Sequence, residues 1–177
     1  MKVLYLDQNK WIDLARARNS PTEKPAHTLA LVKIQQAVES NELLIPLTAS
    51  NIYETQKIND MSRRQAIARL QAALSNGMVF QCGSFRLRHE LTNFLCEHSG
   101  RSNDHPQNRW FLSDFFLDAF AERKVMKIEH GFDFALAFNQ RNAKAALYSY
   151  LIDLPDEARQ AVVKNFSESS SELISHI

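Results

Sequence analysis

Short apolar runs alternate along the chain with longer segments whose apolar residues recur at helical spacing. The mainly apolar runs are residues 3–6, 43–46 and 78–80. Between the first two runs, Leu31, Ile34 and Val38 lie three and four positions apart. Such a stripe is typical of a helix with one face in the core. The pattern predicts the order strand, helix, helix, strand, helix, helix, strand over the first 80 residues.

The order of these segments predicts the fold class. Strands separated by helices are joined by right-handed crossovers, and they form a parallel sheet that helices cover. We therefore predict an α/β core over residues 1–82, with a small parallel sheet flanked by helices. Thr48 or Ser50 is expected to cap the helix after the second strand, and Ser62 to open the next helix. Ligands bind such folds at the edge where the carboxyl ends of the strands gather.

Residues 83–177 are predicted to form a mainly helical region that completes or caps this core. The segments with helical spacing are residues 87–95, 110–120, 133–152 and 155–166. The segment 110–120 is densely aromatic, and residues 98–108 are expected to form a polar loop. Residues 125–128 are a further strand candidate.

Composition narrows the function classes only in part. No run of about 18 apolar residues occurs, so we predict no membrane span. The two cysteines lack metal-ligand spacing, which favours a cytoplasmic protein with reduced thiols. The formal net charge of +1 neither requires nor excludes a nucleic-acid partner. Any contact with RNA phosphates would come from local basic patches, and Arg63 and Arg64 are the leading candidates for substrate binding.

Two acidic residues follow the predicted strands. Asp7 comes directly after residues 3–6, and Glu54 lies in the helix after residues 43–46. Two carboxylates brought to one edge of a sheet repel each other unless a cation neutralises them. A hard divalent cation such as Mg²⁺ or Mn²⁺ prefers oxygen ligands of this kind. The alternatives are a helix-capping role for Asp7 and a solvated surface position for Glu54.

The segments YLDQNKWIDLARA and LLIPLTASNIYETQKINDMSRRQAIARLQAALSNG resemble the N-terminal half of PIN-like domains, over about residues 3–80. PIN domains are mostly metal-dependent ribonucleases. Their first strand ends in Asp, Asn or Ser follows two residues later, and an acidic residue lies on the helix after the second strand. The resemblance implies that Asp7 and Glu54 bind Mg²⁺ or Mn²⁺ and that Asn9 is the polar companion at the substrate. It implies RNA as the substrate.

The rest of the family's acidic pattern is not obvious in this chain. PIN domains usually supply a third acid at the start of a later helix and often a fourth in a T-x-D context, which does not occur here. Asp114 is the best candidate for a third catalytic and metal-binding acid, with Asp118 four positions later. The alternative is that both form the polar face of an aromatic helix. Asp104 and Asp133 are weaker candidates.

Two hypotheses about function follow from these residues. The first is a Mg²⁺- or Mn²⁺-dependent endoribonuclease that hydrolyses RNA phosphodiester bonds. The second is a catalytically degenerate PIN-like scaffold that binds a protein partner or forms a homo-oligomer through its aromatic second half. The absent T-x-D favours the second hypothesis, whereas the intact Asp7-x-Asn9 and Glu54 favour the first.

Overall fold

The computed structural model describes residues 1–100, 109–121 and 139–164. Its helices are α1 (Gln8–Asn19), α2 (Pro25–Glu39), α3 (Ala49–Gln56), α4 (Met61–Ser75), α5 (Gly83–His98) and α6 (Ala143–Ile152). Residues 156–164 are also helical. The strands are β1 (Lys2–Val3), β2 (Leu43–Leu44), β3 (Val79–Phe80) and β4 (Leu112–Ser113), and Phe116–Ala119 form a 3-10 helix. The protein is therefore mixed α/β and mainly helical in the part of the chain described.

The first three strands run parallel. Lys2 pairs with Leu43 and Val3 with Leu44 between β1 and β2. Three residues after β2, Leu47 forms a parallel bridge with Val79 of β3. The parallel pairing predicted for residues 3–6 and 43–46 is confirmed, although the ladder is only two residues long on each strand. The first strand is less covered by helices than predicted, because Val3, Leu4 and Tyr5 are exposed.

The fourth strand, β4, lies in the segment 110–120, which was predicted to be a helix. β4 pairs antiparallel with β3, with Val79 opposite Ser113 and Phe80 opposite Leu112. The prediction of one helix over residues 110–120 is therefore wrong. Ser113 Oγ accepts a hydrogen bond from Phe115 N at 3.0 Å and donates one to Asp118 Oδ2 at 2.6 Å. Serine side chains that bond the nearby backbone offer it an alternative to the helix, and they do so here.

Local capping residues fix where the helices begin. Asp7 caps α1, and Thr48 caps α3 in a reciprocal capping box with Asn51, as predicted for Thr48. The start predicted at Ser62 is two residues late, because Asp60 caps α4 by accepting from Arg63 N at 2.8 Å. A side-chain oxygen at the N-cap satisfies one of the backbone N–H groups left free in the first turn.

The core lies around α4, which packs against α1 on one side and α6 on the other. The largest fully buried apolar side chains are Trp11, Ile45, Leu47, Ile52, Ile67, Leu70, Val79, Phe115, Leu147 and Leu151. Helix α6 of the second half therefore completes a core that the first half begins. The predicted domain boundary at residue 82 stays a prediction.

Helix α5 differs from the other helices in having no buried residue. Leu87, Leu91, Phe94 and Leu95, which were predicted to share one helical face, are 54–67% exposed. No helix in the described ranges has the length and apolar character needed to cross a bilayer.

Candidate active site

Asp7 lies between β1 and α1 and caps the helix. Asp7 Oδ2 accepts a hydrogen bond from Asn9 N at 3.1 Å, and the residue is exposed. The capping interpretation of Asp7 is therefore correct. It does not exclude metal binding, because the cap bond uses one oxygen of an exposed carboxylate. Asn9, the predicted polar companion, is also exposed at the start of α1.

Glu54 lies in the second turn of α3. Its side chain is 44% exposed, and its carboxylate is 3.8 Å from Lys57 Nζ one turn later. The Lys57 ammonium also stands 5.1 Å from the centre of the Tyr53 ring. An exposed pair of this type contributes little to stability, so Glu54 is available to exchange its lysine partner for a cation.

Hydrogen bonds join the end of β1 to α3 on both sides of Asp7. Asn51 Nδ2 donates to Leu6 O at 3.3 Å, and Gln8 Nε2 donates to Thr55 Oγ1 at 3.1 Å. Leu6 and Gln8 are the neighbours of Asp7, and Thr55 is the neighbour of Glu54. The two acids therefore belong to elements that are held together at the carboxyl edge of the parallel strands.

Buried polar side chains that were not predicted from the sequence lie beneath this edge. Thr55 Oγ1 donates to Gln71 Oε1 at 3.0 Å, and Gln71 Nε2 donates to Gln8 Oε1 at 3.4 Å, which closes a ring of three side chains. Thr55 and Gln71 are fully buried. Asn51 and Thr55 are four residues apart on the inner face of α3, next to the apolar Ile52. Two polar residues at helical spacing on an otherwise apolar face are the sequence pattern that could have indicated this network.

Asp114 lies elsewhere. It follows β4 in the turn before the 3-10 helix, and its backbone carbonyl accepts from Asn139 Nδ2 at 2.7 Å. Because β4 is antiparallel, its carboxyl end lies at the edge where β3 begins. β1 and β4 also belong to different two-stranded sheets, which the isolated Leu47–Val79 bridge joins. The binding of one cation by Asp7, Glu54 and Asp114 stays a prediction, and this topology does not favour it.

Asp118 has a structural position. It is buried in the 3-10 helix and accepts from Ser113 Oγ, and its backbone carbonyl accepts from Cys82 N at 2.7 Å. The weaker candidates Asp104 and Asp133 fall outside the described residues.

The two arginines predicted to bind substrate have opposite environments. Arg63 is exposed on the first turn of α4. Arg64 is 2% exposed, and its guanidinium donates to Ile58 O at 2.6 Å. Burial, together with the nearby charge of Arg159, lowers the pKa of Arg64 below its usual value. The Arg64 guanidinium thus bonds the backbone inside the protein, and of the two arginines only Arg63 is exposed to a substrate.

The side-chain oxygens of Asp7, Glu54 and Asn9 are of the chemical type that a hard divalent cation prefers. Mg²⁺ commonly uses one or two carboxylates with water completing its shell. Within residues 1–100, 109–121 and 139–164, no three His, Cys, Asp or Glu side chains are grouped so that they could hold a metal ion. Among the described residues, the candidate site therefore has two acids.

No family model, curated protein or solved structure matches this chain.

Proposed function

We propose that this protein is a PIN-like, Mg²⁺- or Mn²⁺-dependent endoribonuclease. The observation that carries the proposal is the attachment of β1 to α3 through the Leu6–Asn51 and Gln8–Thr55 hydrogen bonds. This attachment keeps Asp7 and Glu54 on adjoining elements at one edge of the sheet. The resemblance of residues 3–80 to PIN-like domains and the cytoplasmic setting expected from the reduced cysteines are part of the same proposal.

Each residue has a distinct task in this proposal. Asp7 and Glu54 hold the divalent cation, and Asn9 orients the substrate or a water molecule. The cation, when bound, lowers the pKa of a water molecule and neutralises charge on a phosphate oxygen. The ring of Gln8, Thr55 and Gln71 positions the first turn of α1 and therefore Asp7. Buried side chains that are fully bonded hold a site more rigidly than an exposed loop does.

The first prediction tests catalysis. The purified protein with Mn²⁺ is expected to cleave single-stranded RNA, and EDTA is expected to stop the reaction. Asp7→Asn should reduce cleavage at least about a hundredfold, because losing a metal ligand removes the electrostatic stabilisation of the transition state. Its melting temperature should stay close to that of the parent, since Asn caps helices about as well as Asp.

Glu54→Gln should lose cleavage in the same way, and Glu157→Gln is the matched control. Glu157 is exposed in the helical segment 156–164 and has no part in the proposed site. If Asp7→Asn and Glu54→Gln cleave RNA as fast as Glu157→Gln, the two acids do not bind a catalytic metal and the proposal fails.

The alternative function is that of a catalytically degenerate scaffold that binds a protein partner or a second copy of the chain. The absence of a three-acid group in the described residues favours it. The aromatic segment 110–120 offers such a partner less apolar surface than predicted, because Leu112, Phe115 and Phe116 are buried. The exposed apolar face of α5 takes its place. A parent protein that is inert with both metals, yet forms a stable complex through α5, would favour this function.

A further inference from the structure

Two adjoining cavities lie between α1 and α4. Their volumes are about 340 Å³ and about 220 Å³. Both are lined by Asn19 at the end of α1 and by Ser62 and Ala66 of α4, so they form one continuous depression. We call this depression the α1–α4 groove. Small side chains at Ala15 and Ala66 leave the space between the two helices open.

The α1–α4 groove is positively charged. Its ionisable lining consists of Arg16, Arg18, Arg63 and Arg69 against Asp60 alone. Arg18 and Arg63 are exposed, and no carboxylate of the described residues lies within 4.0 Å of either guanidinium. The Asp60 carboxylate already accepts from the backbone of α4. Arg16 lies 4.0 Å from the Asp13 carboxylate, so the excess of positive charge in the groove comes from Arg18, Arg63 and Arg69.

The arrangement of these side chains suits a chain of phosphates better than a single anion. Arg63 and Arg69 are six residues apart on α4, which corresponds to about 9 Å along the helix. Guanidinium groups bind phosphate oxygens in a planar, bidentate manner. The neutral side chains of Asn19 and Ser62 lie between the arginines and can bond to sugars or bases.

We infer that the α1–α4 groove binds the phosphodiester backbone of single-stranded RNA at a distance from the acidic edge. The choice of RNA over other polyanions rests on the proposed function, whereas the charge and shape belong to the groove itself. Arg18 lies eleven residues after Asp7, about 16 Å along α1. A strand that is stacked as in a duplex, at about 3.4 Å for each nucleotide, therefore needs about five nucleotides to reach from the groove to Asp7.

Binding is tested without metal, so that cleavage does not interfere. Fluorescence anisotropy of a labelled single-stranded RNA in EDTA gives the dissociation constant at several salt concentrations. The triple variant Arg18→Gln, Arg63→Gln and Arg69→Gln is compared with a control that loses the same charge elsewhere: Lys33→Gln, Arg86→Gln and Arg141→Gln. The control residues are exposed and do not line the groove. Melting curves verify folding, and the single variant Arg63→Gln serves if the triple variant is unstable.

The groove variant is expected to bind RNA at least about tenfold more weakly than the control. Its slope of log affinity against log salt should fall by about 2, because each lost phosphate contact with a single strand removes about 0.7. Oligonucleotides shorter than about five nucleotides should be cleaved more slowly than longer ones in the presence of Mn²⁺. Polyglutamate of equal charge concentration should not displace the RNA.

Equal affinities of the groove variant and the control would overturn this inference, as would efficient displacement by polyglutamate. These outcomes are separate from the fate of the proposed function. If the parent cleaves RNA and the groove variant binds RNA as tightly as the control, the proposed nuclease function is retained and the proposed role of the groove is rejected. If the groove variant loses affinity for RNA but the parent does not cleave RNA, the role of the groove is retained and the nuclease function is rejected.

Discussion

Two adjacent arginines of α4 have different environments although they are the same type of residue. Arg63 faces solvent, whereas Arg64 donates to Ile58 O, and Arg159 from the segment 156–164 donates to Gln56 O at 2.7 Å. α3 ends at Gln56, so both buried cations lie at its carboxyl end. Positive charge there interacts favourably with the helix dipole and satisfies carbonyls that have no partner within the helix.

The second prediction contrasts these neighbours. Arg64→Gln should reduce the free energy of unfolding by about 1–3 kcal/mol, because it leaves a buried carbonyl without a donor. Arg63→Gln removes the same charge from the surface and should change it by less than about 0.5 kcal/mol. Urea denaturation of both variants measures the difference. Equal losses would mean that Arg64 does not have the structural role described.

The third prediction concerns Tyr150, whose phenol is largely buried beside Phe116. Burial raises the pKa of Tyr150 from 10.0 to about 12. The folded state keeps the proton to a higher pH than the unfolded state does, so Tyr150 favours folding below pH 10 and this contribution is lost as pH rises from 10 to about 12.

Replacing Tyr150 by Phe should therefore make the free energy of unfolding fall less steeply over that range. Tyr5→Phe is the control, because Tyr5 is exposed. If parent, Tyr5→Phe and Tyr150→Phe lose stability in parallel above pH 10, Tyr150 is not protected by burial.

At the scale of elements, the junction between α4 and β3 depends on close packing with α6. α4 ends at Ser75 and is capped by Asn76, which has a left-handed backbone with φ of 53°, and Gly77 follows with φ of 79°. A Cβ on Gly77 would lie 2.5 Å from the backbone carbon of Ala143, at the start of α6. The turn that directs the chain into β3 therefore also sets how closely α6 can approach.

The fourth prediction uses a second glycine to separate strain from contact. Gly100 also has positive φ, but a Cβ there would meet nothing within 4 Å. Gly100→Ala should cost only the roughly 1–2 kcal/mol of a left-handed alanine. Gly77→Ala should cost more, because it adds displacement of α6 to the same strain. Equal losses in thermal unfolding would show that α6 does not restrict Gly77.

At the scale of the whole molecule, the acidic edge joins segments from distant parts of the sequence. Asp7 is held by β1 and α1, Glu54 by α3, and the ring of Gln8, Thr55 and Gln71 connects both to α4. A cation bound by Asp7 and Glu54 would bridge two elements of the folded protein. The unfolded chain, in which these residues are 47 positions apart, has no such site.

The fifth prediction is that Mn²⁺ stabilises the folded protein. At a free Mn²⁺ concentration of about a hundred times the dissociation constant, the free energy of unfolding should rise by about 2.7 kcal/mol. Asp7→Asn should abolish most of this gain, and Glu157→Gln should keep it. Thermal unfolding with and without Mn²⁺ measures the effect independently of RNA cleavage. A gain of equal size in Asp7→Asn would place the metal elsewhere.

The sequence by itself determined the parallel pairing of the first two strands, the main helices of the first half and the position of Asp7 between β1 and α1. These features depend on apolar periodicity and capping, which act over a few neighbouring residues. Thr48 illustrates this, because its capping box is closed by Asn51 only three positions later.

Only the tertiary structure decided which of the other candidate residues can act together. The segment 110–120 has apolar spacing that suits a helix, but pairing of Leu112 and Ser113 with β3, more than 30 residues earlier, made it a strand and directed Asp114 to the opposite edge. Likewise, Arg64 differs from Arg63 because contacts with the chain around Gln56 and Arg159 enclose it. The antiparallel pairing of β4 and the burial of Arg64 depend on partners that are distant in sequence, and no local pattern encodes them.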